Sequence, residues 1–190
     1  MARKLAVKSG AKPVKAGATK TKKAPPKKRP GAGNLLKAAD MARLQETFVH
    51  PFNPNSEITG VQMGARLGLK RLGVNFIRIA AGKDGYVPHA HQFEEEWVYV
   101  LYGIGEALIG EHWVDIGSGD FLAYPAPQVV HHLRNSGAEE LVCLVGGEKL
   151  AFDVVEYPTI GRRSVRIGEV RTIYDAKAGT ALAPAKTKKK

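Results

Sequence analysis

From Arg71 onward this 190-residue sequence predicts an all-β fold, a sandwich or jelly-roll barrel, on three observations. Its apolar residues come in short or alternating runs, LGVNFIRIAAG, EWVYVLYG, EALIGEHWVDI, DFLAYP, VVHHLRN and ELVCLVGG, as half-buried strands require. Turn residues separate these runs at close intervals. Little helical periodicity interrupts them, so pairing into a closed or two-layered sheet is how they would be buried.

Each element has a local reason. Upstream, LLKAADMARLQETF from Leu35 carries apolar residues at rough helical spacing, which predicts a short helix packing on the barrel or on a partner. Between ALI and HWVDI, Gly110 and Glu111 fit a tight hairpin turn with glycine first. The stretches GIGEALIG and GSGD precede no helical pattern and lack a Lys-Ser/Thr ending, so they read as β-turns and not as phosphate loops. Cys143, the only cysteine, has no intrachain disulfide partner and reads as a small buried strand residue.

Charge divides the chain differently. Residues 1–34 hold eleven Lys and Arg and no acid, and the last five residues hold four Lys. Removing those fifteen from 29 leaves fourteen basic against 18 acidic residues, so the remainder is mildly acidic. The Lys/Pro/Ala-rich N-terminal stretch buries too little apolar surface to offset its ordering entropy and is expected to be disordered. Lacking aromatic residues, it would touch nucleic-acid phosphates without reading sequence. No run of about eighteen apolar residues is present to span a membrane. The N-terminus has no apolar segment of the secretory kind, and its lysines and prolines do not suit a mitochondrial presequence, so a cytoplasmic location is expected.

The chemistry concentrates in PHAHQFEEEWVYVLYG and GDFLAYPAPQVVHHLRN. On a strand, residues two apart share a face, so His89 and His91 can aim both imidazoles at one point. Glu96 opens the next apolar run and can bring its carboxylate there. If the run containing His131 folds beside the other two, it completes a set of three nitrogens and one oxygen suited to a first-row divalent metal. Two imidazoles turned into a barrel interior would also be costly without something bound to them.

These segments resemble the two sequence motifs of the cupin superfamily. The first reads His89, His91, Glu96 and Gly103, and the second Gly119, Asp120, Pro125, His131 and Asn135. Two departures stand out: Pro127 replaces the usual turn glycine, and one extra residue precedes His131, which leaves His132 as a rival ligand. His131 is favoured because it keeps the three-residue gap to Asn135 and shares its strand face with Leu133. AFDVVEYP, ending at Pro158, also resembles the tail of certain small one-barrel cupins. The resemblance implies a double-stranded β-helix over residues 69–158. It leaves a basic tail at 1–34, a helix or arm at 35–68, an extension at 159–185 and a basic end at 186–190. It further implies one divalent metal, Fe, Mn, Ni or Zn, held by His89, His91, Glu96 and His131, a small-molecule ligand and a homodimer. The expected function is an enzyme of dioxygenase, decarboxylase or isomerase type. The rival is a non-catalytic ligand-binding or sensory barrel whose basic tails associate with nucleic acid.

Other residues read more plainly. His50 and His112, each a single histidine, read as structural, and Glu94 and Glu95 as solvated rim carboxylates, either of which could replace Glu96 if the strand register slips by one or two. Trp97, Tyr99, Tyr102 and Trp113 read as core or dimer-contact aromatics, while Arg78, Tyr99 and Tyr124 are available as acids or bases near the site.

Overall fold

The computed structural model describes residues 32–127 and 129–179. The basic tail, apart from its last three residues, and the lysine-rich end at 186–190 lie outside the described residues. The first elements are helix α1 (Ala38–Leu44), strands β1 (Glu46–Phe48) and β2 (Ile58–Val61), helix α2 (Met63–Arg66) and strand β3 (Leu72–Ile79). Next come β4 (Ala90–His91), β5 (Glu96–Tyr102), β6 (Ile104–Ile109), β7 (His112–Gly117) and β8 (Phe121–Tyr124). The remainder is β9 (His131–Arg134), β10 (Leu141–Glu148), β11 (Phe152–Tyr157), β12 (Arg162–Ile167) and β13 (Val170–Asp175).

A six-stranded antiparallel sheet runs in the order β1-β2-β3-β10-β5-β8. The opposing strands form two smaller sheets, β13-β12-β11-β4 and β7-β6-β9, joined where His89 and His131 pair across an isolated bridge. Period-two alternation fixes which residues turn inward. On β5, Val98 and Val100 are buried while Tyr99 and Leu101 face out, which places Glu96 on the inward face. These valines pack with Ile77, Ile79, Ala107, Ile116, Leu122, Leu133, Leu141 and Cys143 into a core shared by the six-stranded and three-stranded sheets. Burying each large aliphatic side chain contributes about 1.5–3 kcal/mol. Cys143 is fully buried, and burial pushes its thiol up to about 12, as befits a small core residue.

The tight hairpin forms as the sequence predicts: Ile109 pairs with His112 and Gly110 has φ +64°, a conformation that glycine adopts without steric cost. The helix from Leu35 is shorter than its pattern suggests. It ends at Leu44 with no buried residue, and Glu46–Phe48 extends to pair with Ile58–Gly60 at the sheet edge. Sheet pairing there offers the backbone more than another helical turn without a buried face. Beyond Pro158 the chain continues as β12 and β13, extending the sheet that contains β11.

Candidate metal centre

Local pairing builds the site. His89 and His131 sit directly opposite each other, with His89 N–H donating to His131 O at 3.1 Å and His131 N–H donating to His89 O at 2.8 Å. Opposed residues of an antiparallel pair project from the same face, and the two rings lie 4.3 Å apart between centroids. His91, two residues along, places its ring 5.3 Å from His89 and 6.0 Å from His131. Glu96 enters from the facing sheet, its Oε2 2.9 Å from His131 Nε2 and its Oε1 3.5 Å from His91 Nε2. Ligand atoms of His89, His91, Glu96 and His131 all lie within 4.8 Å of one another, so the group could hold a metal ion.

Hydrogen bonds behind the rings fix their tautomers. Nδ1–H of His89 donates to Val87 O (2.7 Å), that of His131 to Val129 O (2.9 Å), and that of His91 to the Asp153 carboxylate (2.6 Å). Each acceptor is a carbonyl or carboxylate, so each Nδ1 carries the proton and each Nε2 lone pair is left facing Glu96. With each Nδ1 proton turned outward, three Nε2 atoms converge on the Glu96 carboxylate, and the close contacts there, the 2.9 Å hydrogen bond between His131 Nε2 and Glu96 Oε2 among them, require a shared proton or a cation at the centre.

The titration shifts agree. Burial lowers the pKa of His89 and outweighs the attraction of Glu96. Burial also opposes the charge on His91, but the hydrogen bond to Asp153 and the nearby Glu96 carboxylate raise its pKa. Against the cost of burial, the imidazoles of His131 and His89 hold Glu96 well below the usual carboxylate range. Glu96 therefore stays ionised.

Glu94 departs from the rim role its neighbours suggest. It is buried, ion-paired with Arg166 of β12 and accepting from the Leu150 amide, because β12 covers it. His132 faces away from the group, against Trp113 and Asp84, and burial pushes it down to about 4. Its Nδ1 has no hydrogen-bond partner among the described residues. Among the proposed acids and bases, Tyr124 stacks on His131 at 4.1 Å, with a buried hydroxyl that has no partner among the described residues. Arg78 pairs with Glu140 instead, and Tyr99, like Tyr102 and Trp113, is exposed.

The cluster lines a cavity of about 280 Å³. Its floor is apolar, with Ile77, Ile79 and Val98 buried there, and its mouth carries the exposed Phe48, Tyr86 and Arg171. His50 and Tyr157 line it too, their rings 6.3 Å apart. His50 Nδ1 accepts the Phe52 amide at 3.3 Å, which leaves Nε2–H as its donor, and burial lowers its pKa. Sequence reasoning missed His50, Tyr86, Tyr157, Arg171 and Asp153. Only Asp153 had a local signal, an acid set between Phe152 and Val154 in FDVVEY.

Comparison with known proteins places the chain. The Cupin domain family matches residues 75–147. A crystal structure from Acidithiobacillus ferrooxidans, of a protein provisionally called a sugar phosphate isomerase, is 35% identical, covering 80% of this chain and 98% of that one with a TM-score of 0.75. This chain belongs to the cupin family. A sugar phosphate isomerase of the cupin superfamily from Silicibacter pomeroyi is 20% identical over 74% of this chain and 90% of that one, with a TM-score of 0.64. A predicted oxalate decarboxylase from Thermotoga maritima is 19% identical over 61% and 99%, with a TM-score of 0.52. These last two speak to the fold alone. No curated protein matches the chain.

Proposed function

We propose that this cupin is a divalent-metal enzyme that isomerises a phosphorylated sugar, with His89, His91, Glu96 and His131 as its metal ligands. The observation that carries the reading is the convergence of three Nε2 atoms, their Nδ1 protons turned outward, on an ionised Glu96 inside a cavity of small-molecule size. A bound divalent ion would act there as a Lewis acid on a carbonyl or hydroxyl oxygen. The likeness to the Acidithiobacillus protein, across nearly its whole length, favours isomerisation among the reactions such a site supports.

Aldose–ketose isomerisation moves one hydrogen from C2 to C1 and one proton from the C2 oxygen to the C1 oxygen, and consumes no oxidant. The cavity must therefore exclude bulk water and hold proton donors near the substrate oxygens. Tyr86 is 38% exposed at the mouth, but desolvation on its cavity side, followed by the charge of Glu96, raises its pKa, so its phenol stays protonated as a donor. His50 offers Nε2–H beside it, neutral at physiological pH because burial lowers its pKa.

Elemental analysis of purified protein, together with NMR detection of aldose–ketose exchange across a panel of hexose and pentose phosphates, tests the reading. About one divalent metal per chain and turnover of at least one sugar phosphate are expected, both lost in His131→Ala. Metal-free protein that cannot be reloaded, or metal-loaded protein inert on the whole panel, overturns it.

A further inference from the structure

We propose that Arg171 is an anion-binding residue that takes the phosphate of the substrate at the cavity mouth. The assignment of phosphate rests on the isomerase reading above; the anion site itself rests on geometry. Arg171 stands on β13, the edge strand of the C-terminal hairpin, opposite Arg166 in register. The two arginines differ in their partners. Arg166 is buried and its guanidinium is taken up by Glu94 and the Leu150 carbonyl. Arg171 is exposed, lines the cavity, and makes no ion pair or hydrogen bond among the described residues.

No other Lys or Arg lines the cavity, and Glu96, already committed to three histidines, is its one carboxylate among the described residues. An anion entering the mouth therefore meets a permanent cation with no competing local counter-charge. The guanidinium fork suits two oxygens of one phosphate, and its exposure keeps the desolvation cost of pairing low. Tyr86 and the Nε2–H of His50 line the same cavity as further donors. A substrate bridging this mouth and the histidine cluster would carry its phosphate at one end and its reacting carbons at the other. Arg171 touches the substrate remote from the bonds that change, so its contribution is uniform binding and falls on KM more than on kcat.

The test has a binding arm and a turnover arm, both on the full chain and on Arg171→Gln and Arg171→Lys. In the binding arm, chelator-treated and metal-loaded proteins are titrated with inorganic phosphate and, separately, acetate by ¹⁵N NMR. Saturable phosphate binding in wild type is expected, weaker by about tenfold in Arg171→Gln and by less in Arg171→Lys, as loss of one charge-assisted pair predicts. Acetate should bind more weakly than phosphate. In the turnover arm, Arg171→Gln should raise KM for the sugar phosphate about tenfold more than for the same sugar without phosphate. Phosphate binding unchanged in Arg171→Gln, or acetate bound as tightly as phosphate, overturns the proposal. So does sugar phosphate turnover with unaltered KM. Wild type that binds phosphate through Arg171 yet turns over no sugar phosphate keeps the anion site and sinks the isomerase reading instead.

Discussion

Residues 75–147, which match the Cupin domain family, and the segments flanking them divide the site between them in an instructive way. The central stretch supplies every residue of the converging cluster, His89, His91, Glu96 and His131. The central stretch also builds the cavity floor and Tyr86 at its mouth, and the flanks complete the wall: Phe48 and His50 ahead of the matched region, and Tyr157 and Arg171 after it. They also supply Asp153, which orients His91, and Arg166, which secures the buried Glu94. A reactive centre built from neighbouring strands can thus stay fixed while the segments around it set what enters and how firmly one ligand is held.

The sharpest way to break this division is to remove a ligand. His89→Ala and His131→Ala should each abolish stoichiometric metal and turnover, a larger loss than the about 10–100-fold in affinity typical of outer-shell changes. His132→Ala should keep its metal, since His132 lies outside the cluster. Elemental analysis after dialysis decides the point, and the opposite pattern would exchange the two histidines.

The next largest effects probe the hold of the flanks on the centre. Arg166→Met leaves the Glu94 carboxylate buried without its counter-charge, which should cost about 3–5 kcal/mol in urea unfolding. Asp153→Asn removes the charge behind His91 and should weaken metal affinity by about 10–100-fold with little change in fold. Metal titration reads the second effect independently of the first. Affinity within twofold of wild type in Asp153→Asn would mean that the centre needs nothing from β11.

The same division explains what the sequence revealed. His89 and His91 were legible because a spacing of two fixes a shared strand face, and His131 through its three-residue gap to Asn135 in the second cupin motif and the strand face it shares with Leu133. The Gly110 turn was legible for the same reason, being set by a handful of adjacent residues. Glu94 was not. Its neighbours suggest solvent, and only Arg166, far along the chain, turns the position into a buried ion pair. Arg171 and His50 were hidden likewise: each looks ordinary in its own segment, and only the pairing of sheets brings them to one cavity. The helix expected from Leu35 lost its last residues to β1 because sheet pairing is a long-range effect.

A smaller effect concerns pH. Above the unperturbed value of 6.5, His132 is neutral in both folded and unfolded chains and adds no pH dependence. As pH falls, the unfolded chain takes up a proton that the folded chain refuses until about 4, so stability declines across that window. This residue alone contributes a loss of about 3 kcal/mol at most. Urea unfolding of chelator-treated protein at pH 7 and pH 5 should show a smaller drop for His132→Leu than for wild type. Parallel drops would place the pH sensitivity elsewhere.

The smallest expected effect on the site comes from deleting residues 1–34, and it tests whether the basic segment and the barrel act independently. Eleven Lys and Arg without an acid or an aromatic residue can neutralise phosphates but cannot stack on bases, so we propose binding to polyanions without sequence preference. Metal content and turnover should match the full chain, since every described residue of the cluster and the cavity lies beyond residue 34 and the segment holds no His, Cys, Asp or Glu. Duplex DNA affinity should fall in the deletion and, for the full chain, drop by orders of magnitude between about 50 and 200 mM salt, because each phosphate contact releases counterions. Low-salt binding alone decides nothing, as any polycation binds DNA there. The proposal fails if the deletion binds as well as the full chain at about 150 mM salt, or if the full chain no longer binds at that concentration. DNA affinity that changed in His131→Ala would contradict independence, for it would require the centre and the basic segment to share an interface.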